Sequence, residues 1–158
     1  MPSFDRLFIQ SKGQPINYDG KTLHLADKFP VSNEEILIVT FEKTNSDCRQ
    51  GVSIDITGHC EIDGKVFKQG KGVMIVLWAD TADNPTQIKV FTKSDCVWIK
   101  NIWESTGNQD KKIVDSGHNG AAMIVEEIKN GRRYQCNDGT PDEDFDDIVF
   151  TVQKTVQV

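Results

Sequence analysis

Three Asx-Gly pairs, Asp19-Gly20, Asp63-Gly64 and Asn130-Gly131, constrain the fold of this chain more than any other feature. A two-residue type I′ turn needs positive φ at both central positions, and Asp-Gly or Asn-Gly meets that need at low steric cost. The runs around such turns alternate apolar and polar residues. Leu23 and Leu25 alternate with Thr22 and His24, and Ile54 and Ile56 with Ser53, Asp55 and Thr57. Ile88, Val90 and Thr92 alternate with Gln87, Lys89 and Phe91. Successive side chains of a strand point to opposite faces, so this period marks half-buried strands. The turns predict that 60–62 pairs with 65–67, and 123–128 with 132–136. Two unbroken apolar runs, 36–41 and 73–78, read as central strands covered on both faces. Longer loops are marked by Asp83-Asn84-Pro85 and by Ser105-Thr106-Gly107-Asn108.

No long segment holds a 3.6-residue period. About ten short strands separated by turns predict an all-β fold, an antiparallel β-sandwich of two sheets. The 158 residues show no linker and no repeat, so 1–158 reads as a single domain.

Charge and chemistry narrow the function. The net charge of −6 argues against nucleic acid, whose backbone demands clustered Lys and Arg. The basic pair Arg132-Arg133 either pairs with the acidic loop 138–147 or is plain surface charge. The apolar run at 73–79 is too short to span a bilayer. The first residues lack the apolar stretch of a signal peptide, which leaves a cytoplasmic location or export by another route. Cys48, Cys60, Cys96 and Cys136 form no C-x-x-C pair and read as reduced thiols. If the protein is exported, disulfides become plausible.

The segment 138–147 has six acidic residues and no basic one. Two unit charges about 4 Å apart repel by roughly 1 kcal/mol even in water, so a tight fold here calls for a cation. Carboxylates, the Asn137 amide and backbone carbonyls are hard oxygen donors, which suit calcium. With no His or Cys interleaved, zinc is disfavoured. Asp142, Asp144 and Asp146 match the first alternating positions of an EF-hand loop. However, Asp147 stands at the required Gly, Gln153 at the twelfth position, and the flanks are β.

The stretch Asp142-Glu143-Asp144-Phe145-Asp146-Asp147-Ile148-Val149-Phe150, preceded by Asp138-Gly139-Thr140, resembles the calcium loop of bacterial calcium-dependent fucose- and mannose-binding lectins. The resemblance covers only this short C-terminal motif. It implies that Asp142, Asp144, Asp146 and Asp147 are calcium ligands, with Asp138 or Asn137 upstream, and that sugar hydroxyls complete the coordination. Alternation in the last strand puts Ile148, Phe150 and Val152 on one face, with Phe145 plugging the core below the loop.

Other candidates are less specific. In the loop 115–120, Asp115, His118 and Asn119 could line a sugar site or add a metal ligand, or the segment is a plain turn. Trp78, Trp98 and Trp103 could stack on pyranose rings or belong to the core. Trp78 lies in the most apolar run and reads as core, while Trp98 and Trp103 fall on opposite faces. A carboxylate pair could act in glycoside hydrolysis, but no other catalytic motif appears, and an enzyme is not expected. The combined expectation is a calcium-dependent carbohydrate-binding protein, with Ca2+ as cofactor, glycan as partner and homo-oligomers for avidity. The alternative is a calcium-stabilised structural or protein-interaction module.

Overall fold

A computed structural model gives the fold and describes residues 4–106, 112–116, 120–139 and 144–155. Two of the three Asx-Gly turns form as the sequence predicts. Strands β1 (Ile16–Tyr18) and β2 (Lys21–His24) meet at Asp19 and Gly20, whose φ values are 49° and 76°. Strands β5 (Arg49–Ile62) and β6 (Lys65–Lys68) meet at Asp63 and Gly64, with φ of 52° and 75°. The third turn is shifted by one residue. In the hairpin of β10 (Ala122–Ile128) and β11 (Gly131–Asn137), Ile128 pairs with Gly131, so Lys129 and Asn130 make the turn. Gly131 opens β11 instead, where a Cβ would collide with the Val152 carbonyl of the neighbouring β12 (Ile148–Lys154).

The remaining strands are β3 (Asp27–Pro30), β4 (Ile36–Thr44), β7 (Val73–Trp78), β8 (Thr86–Thr106) and β9 (Lys112–Asp115). All pairings are antiparallel, as expected for the class. Among the described residues hydrogen bonds join twelve strands into one network, β1-β2-β10-β11-β12-β4-β8-β5-β6, with β3 and β9 on β8 and β7 on β5. A division into two sheets is not shown; within the one network β5 and β8 are long enough to serve two neighbourhoods each. The first half of β5 pairs with β7 and the far half of β8; its second half pairs with β6 and the near half of β8. The register shifts between Ile56 and Gly58, and Gly58 has φ of 147°. An extra residue at such a point bends a strand and raises its twist.

One core cluster draws on strands throughout the network, among them Val39, Ile54, Ile99, Tyr134 and Phe150, all fully buried. Ile148, Phe150 and Val152 share this core as alternation predicts. The apolar run 36–41 is a central strand between β12 and β8, but only alternate residues Leu37, Val39 and Phe41 are buried. The run 73–78 is not central: among the described residues β7 pairs with β5 alone, and Met74 is 55% exposed. A short helix, α1 (Asp5–Gln10), was not legible as a period. Its Phe8, with Phe4 at its start, covers Leu23, Ala122 and Phe145 in a second, smaller cluster.

A buried polar knot ties β3 to β11. The Tyr134 hydroxyl donates to Asp27 Oδ2 at 2.6 Å, and Arg132 Nη1 donates to the same oxygen at 2.8 Å. Arg132 also bonds Glu127, and Arg133 bonds Glu42, so the basic pair is spent on carboxylates outside the acidic segment. Burial, then Asp27, pushes the tyrosine far above its ordinary range. His24 sits close to this knot and its pKa is lowered, mainly by burial, with Asp27 opposing and Arg132 assisting. A base with a depressed folded pKa resists the proton that the unfolded chain accepts. Stability is therefore expected to fall as pH drops below histidine's ordinary value of 6.5, and to level off beneath the folded pKa. Replacing His24 by Gln is expected to flatten that limb in urea unfolding midpoints measured across pH. An unchanged slope would remove His24 from the acid response.

Candidate functional site

The acidic segment begins where β11 ends. Asn137 and Asp138 are buried, at 0% and 1% exposure, although neither is apolar. Asn101 on β8 donates through Nδ2 to the Asn137 carbonyl at 2.9 Å. The Asn137 side-chain oxygen accepts from the Phe145 amide at 2.7 Å, and Asp147 Oδ2 accepts from the Asp138 amide at 2.9 Å. The Asp147 amide in turn donates to the Cys136 carbonyl at 3.1 Å. These bonds bracket the segment between β11 and β12 and hold the Asp147 carboxylate on the Asp138 backbone.

Phe145 explains how the loop keeps its shape. It takes φ of 53°, rare for a side chain of this size, and is 3% exposed. Its ring lies 6.1 Å from that of Phe4, with Lys21 Nζ 5.4 Å from its centroid. It plugs a core, as expected, but the small cluster under α1 rather than the main one. Burying the ring offsets the backbone strain, which is of order 1–3 kcal/mol. The neighbouring acids are thereby turned away from that cluster.

The loop also leans on the turn between β4 and β5, which sequence reading did not implicate. The Ser46 hydroxyl makes a short hydrogen bond to Asp138 Oδ2, and Gln50 Nε2 donates to the same oxygen at 3.1 Å. Gln50 Nε2 also reaches the Cys48 carbonyl at 3.2 Å. Two acceptors fix the amide's orientation, and among the described residues the buried Gln50 Oε1 has no hydrogen-bond partner. Asp146 Oδ2 accepts from Asn45 Nδ2 at 3.0 Å and lies 3.6 Å from Lys43 Nζ, while its buried Oδ1 has no partner among the described residues. No spacing or motif pointed to Asn45, Ser46 or Gln50, because they lie some ninety residues away along the chain and only the pairing of β4 with β12 brings them close.

Of the other sequence candidates, Asp144 is exposed, and Asp142, His118 and Asn119 lie outside the described residues. Asp115 ends β9 opposite Trp103 and accepts from the Ser105 hydroxyl at 2.9 Å. Trp103 is buried and packs on Gly139, where a Cβ would stand 3.0 Å from the ring. The Gly120 amide donates to the Gly139 carbonyl at 3.5 Å. Gly120 thus lies against Gly139, at the start of the acidic segment. Trp98 is 46% exposed and faces away from Trp103, as alternation predicts; Trp78 is only half-buried, under Arg49 at 4.4 Å, and is not core.

A groove of about 520 Å³ opens beside the loop, lined among others by Glu42, Lys43, Ser46, Asp47, Arg49 and Asp80. Its walls are polar and carry both charges. Cys48 in this groove is an unpaired thiol held above its ordinary pKa by burial first and by Asp138 next. Cys136 is pushed well up by burial and then by Asp147. Neither is activated as a nucleophile. All four cysteines are free.

Among the described residues no group of three or more His, Cys, Asp or Glu side chains is gathered as a metal ion requires. Of the donors present, Gln50 Oε1 and Asp146 Oδ1 are hard oxygens without a partner, which fits a calcium or magnesium ion better than a soft metal. Among the described residues no helix is long and apolar enough to cross a membrane. No family model, no curated protein and no solved structure matches the chain.

Proposed function

We propose that this protein is a non-catalytic calcium-binding β-domain that binds carbohydrate. The observation that carries the reading is the packing of two carboxylates, Asp138 and Asp147, below 6% exposure in one bracketed loop, with the orphaned oxygens of Gln50 and Asp146 close by in the chain's contacts. Burying a carboxylate is costly unless positive charge or strong donors compensate it. Asp144, Asp146 and Asp142 would hold the ion with Asp138 and Asp147. When bound, calcium neutralises the loop and offers coordination to vicinal hydroxyls. The protein's own part is to hold the loop rigid through Phe145 and Asn137 and to present the polar groove next to it. Support for a sugar comes from that groove and from the resemblance to the lectin loop.

A second reading is favoured by one specific observation. Asn137, Asp138 and Asp147 already use side-chain oxygens to hold the loop itself. In a calcium-stabilised interaction module the ion would only tie this loop to the sheet.

Thermal unfolding with calcium and with EDTA tests the ion. At free calcium about 100 times the dissociation constant, linkage adds about 2.7 kcal/mol, a rise of several degrees in Tm. Equal Tm in both buffers would end both readings. A glycan array with and without EDTA then separates them: calcium-dependent glycan signal supports the lectin, and its absence leaves the structural module.

A further inference from the structure

Strand β7 is an edge whose free side carries no protection. Among the described residues it pairs with β5 alone. The Ala79 amide donates to the Gln50 carbonyl at 2.9 Å, which fixes the phase of that ladder. In an antiparallel pair, residues that bond the partner strand alternate with residues whose N–H and C=O point away. Leu77, Ile75 and Val73 therefore bond β5, while Trp78, Val76 and Met74 turn their main-chain groups outward. The Trp78 carbonyl agrees with this phase, since it accepts from the Ala82 amide at 2.8 Å outside the sheet. Among the described residues the outward groups of Met74 and Val76 have no partner. Natural edges are commonly shielded by Lys, Pro or a bulge. The run 73–78 has no charge, no Pro and no Gly.

A pocket of about 340 Å³ lies along the same edge. Residues 74–77 all line it. Consecutive strand residues point to opposite faces, so the pocket sits beside the strand rather than over one face. Ile62, Phe67 and Ala82, which pack against the main core, add apolar wall and place its floor on the core side. It is about twice the size of a 150 Å³ apolar cavity that holds benzene, which is room for a pair of branched side chains. Charges bracket the strand. Lys71 before its start and Asp83 after its end are exposed, and among the described residues neither is in an ion pair.

Main-chain donors and acceptors in a row are completed by another extended chain, and a pocket at their side takes its alternate side chains. The charges set its direction, because an antiparallel partner brings its N-terminal end to Asp83 and its C-terminal end to Lys71. We propose that β7 binds an extended peptide of a partner protein by antiparallel strand addition. That peptide places alternate apolar side chains in the pocket and carries a basic residue at its N-terminal end and an acidic one at its C-terminal end. A second copy of this chain is the poorer occupant. Six residues of edge, about 20 Å of strand, fall well short of the about 800 Å² per partner of a standard interface between domains. The proposal does not rest on calcium or sugar, because β7 shares no residue with the acidic segment.

Fluorescence anisotropy in EDTA tests it, with the fluorescein-labelled peptide Lys-Thr-Val-Thr-Val-Thr-Glu titrated with the full chain. The expected result is saturable binding with Kd below about 1 mM. With the valines on the pocket side, the threonine N–H groups face Met74 and Val76. Methylating the threonine nitrogens is expected to abolish binding, and methylating the valine nitrogens to leave it. Exchanging the terminal Lys and Glu is expected to weaken it several-fold. Val76→Pro removes one outward N–H without touching the bonds to β5, a place where an edge strand tolerates Pro, and is expected to weaken binding by on the order of tenfold. The methylated peptides decide on the wild-type chain even if that variant folds poorly. No saturation by about 1 mM protein would overturn the proposal. So would equal binding of the two methylated peptides. A concentration-dependent dimer in sedimentation velocity that Val76→Pro dissolves would also overturn it, since the edge would then belong to a second copy.

Discussion

Asp138→Ala is expected to destabilise the protein by about 2–4 kcal/mol in urea unfolding with EDTA present. The Ser46 hydroxyl and the Gln50 amide both donate to the Asp138 carboxylate in a buried setting. Removing the acceptor leaves the half-buried Ser46 hydroxyl and one of the two Gln50 amide hydrogens without it, the other staying on the Cys48 carbonyl, at about 1–3 kcal/mol each, partly relieved if water enters. Asp138→Asn keeps an acceptor and removes the charge. It is expected to cost little in EDTA and to lose most of the calcium-dependent rise in Tm. The pair thus separates two roles of one side chain. If Asp138→Asn keeps the full calcium response, Asp138 is not a ligand. If Asp138→Ala unfolds like the wild type, the contacts with Ser46 and Gln50 do not hold the loop.

The largest loss is expected at Gly58. A Cβ there would fall inside the radius of the Phe91 carbonyl oxygen, and φ of 147° is strained for any L side chain. Both effects act where β5 and β8 bend together, between backbones that neither rotamers nor water can relieve. Gly58→Ala is expected to cost 3 kcal/mol or more, with about that order set by overpacking and backbone strain. Gly64→Ala is the control. It also has positive φ, at 75°, but meets nothing within 4 Å, and is expected to cost about 1 kcal/mol. Equal losses in the two variants, read from chemical denaturation, would show that close approach at the bend contributes nothing.

Much of the local structure was legible because it depends on local rules. Asp19-Gly20 and Asp63-Gly64 form two-residue turns since few other pairs accept positive φ twice. Ile54, Ile56, Ile88 and Val90 are buried where alternation puts them. The third hairpin slipped by one residue for a non-local reason: Gly131 is needed as a gap for the Val152 carbonyl, not as a turn residue. The run 73–78 read as central because composition records hydrophobicity, not the number of neighbours. An edge strand with an apolar outer face looks the same in sequence as a covered one, and Met74 and Val76 tell them apart only by exposure.

The candidate site divides the same way. The sequence by itself determined that negative charge is concentrated at 138–147, that it precedes the last strand, and that Phe145 is a buried anchor, since each follows from residue type and order. Only the tertiary structure decided which oxygens are free. Asn137, Asp138 and Asp147 look like a ligand list in sequence, yet they also bracket the loop. Gln50 and Asn45 look like ordinary polar residues, yet pairing of β4 with β12 carries them to the carboxylates. The physical reason is that charge and periodicity are properties of the chain. Hydrogen-bond satisfaction is a property of neighbours, and those neighbours are chosen by strand pairings a hundred residues apart.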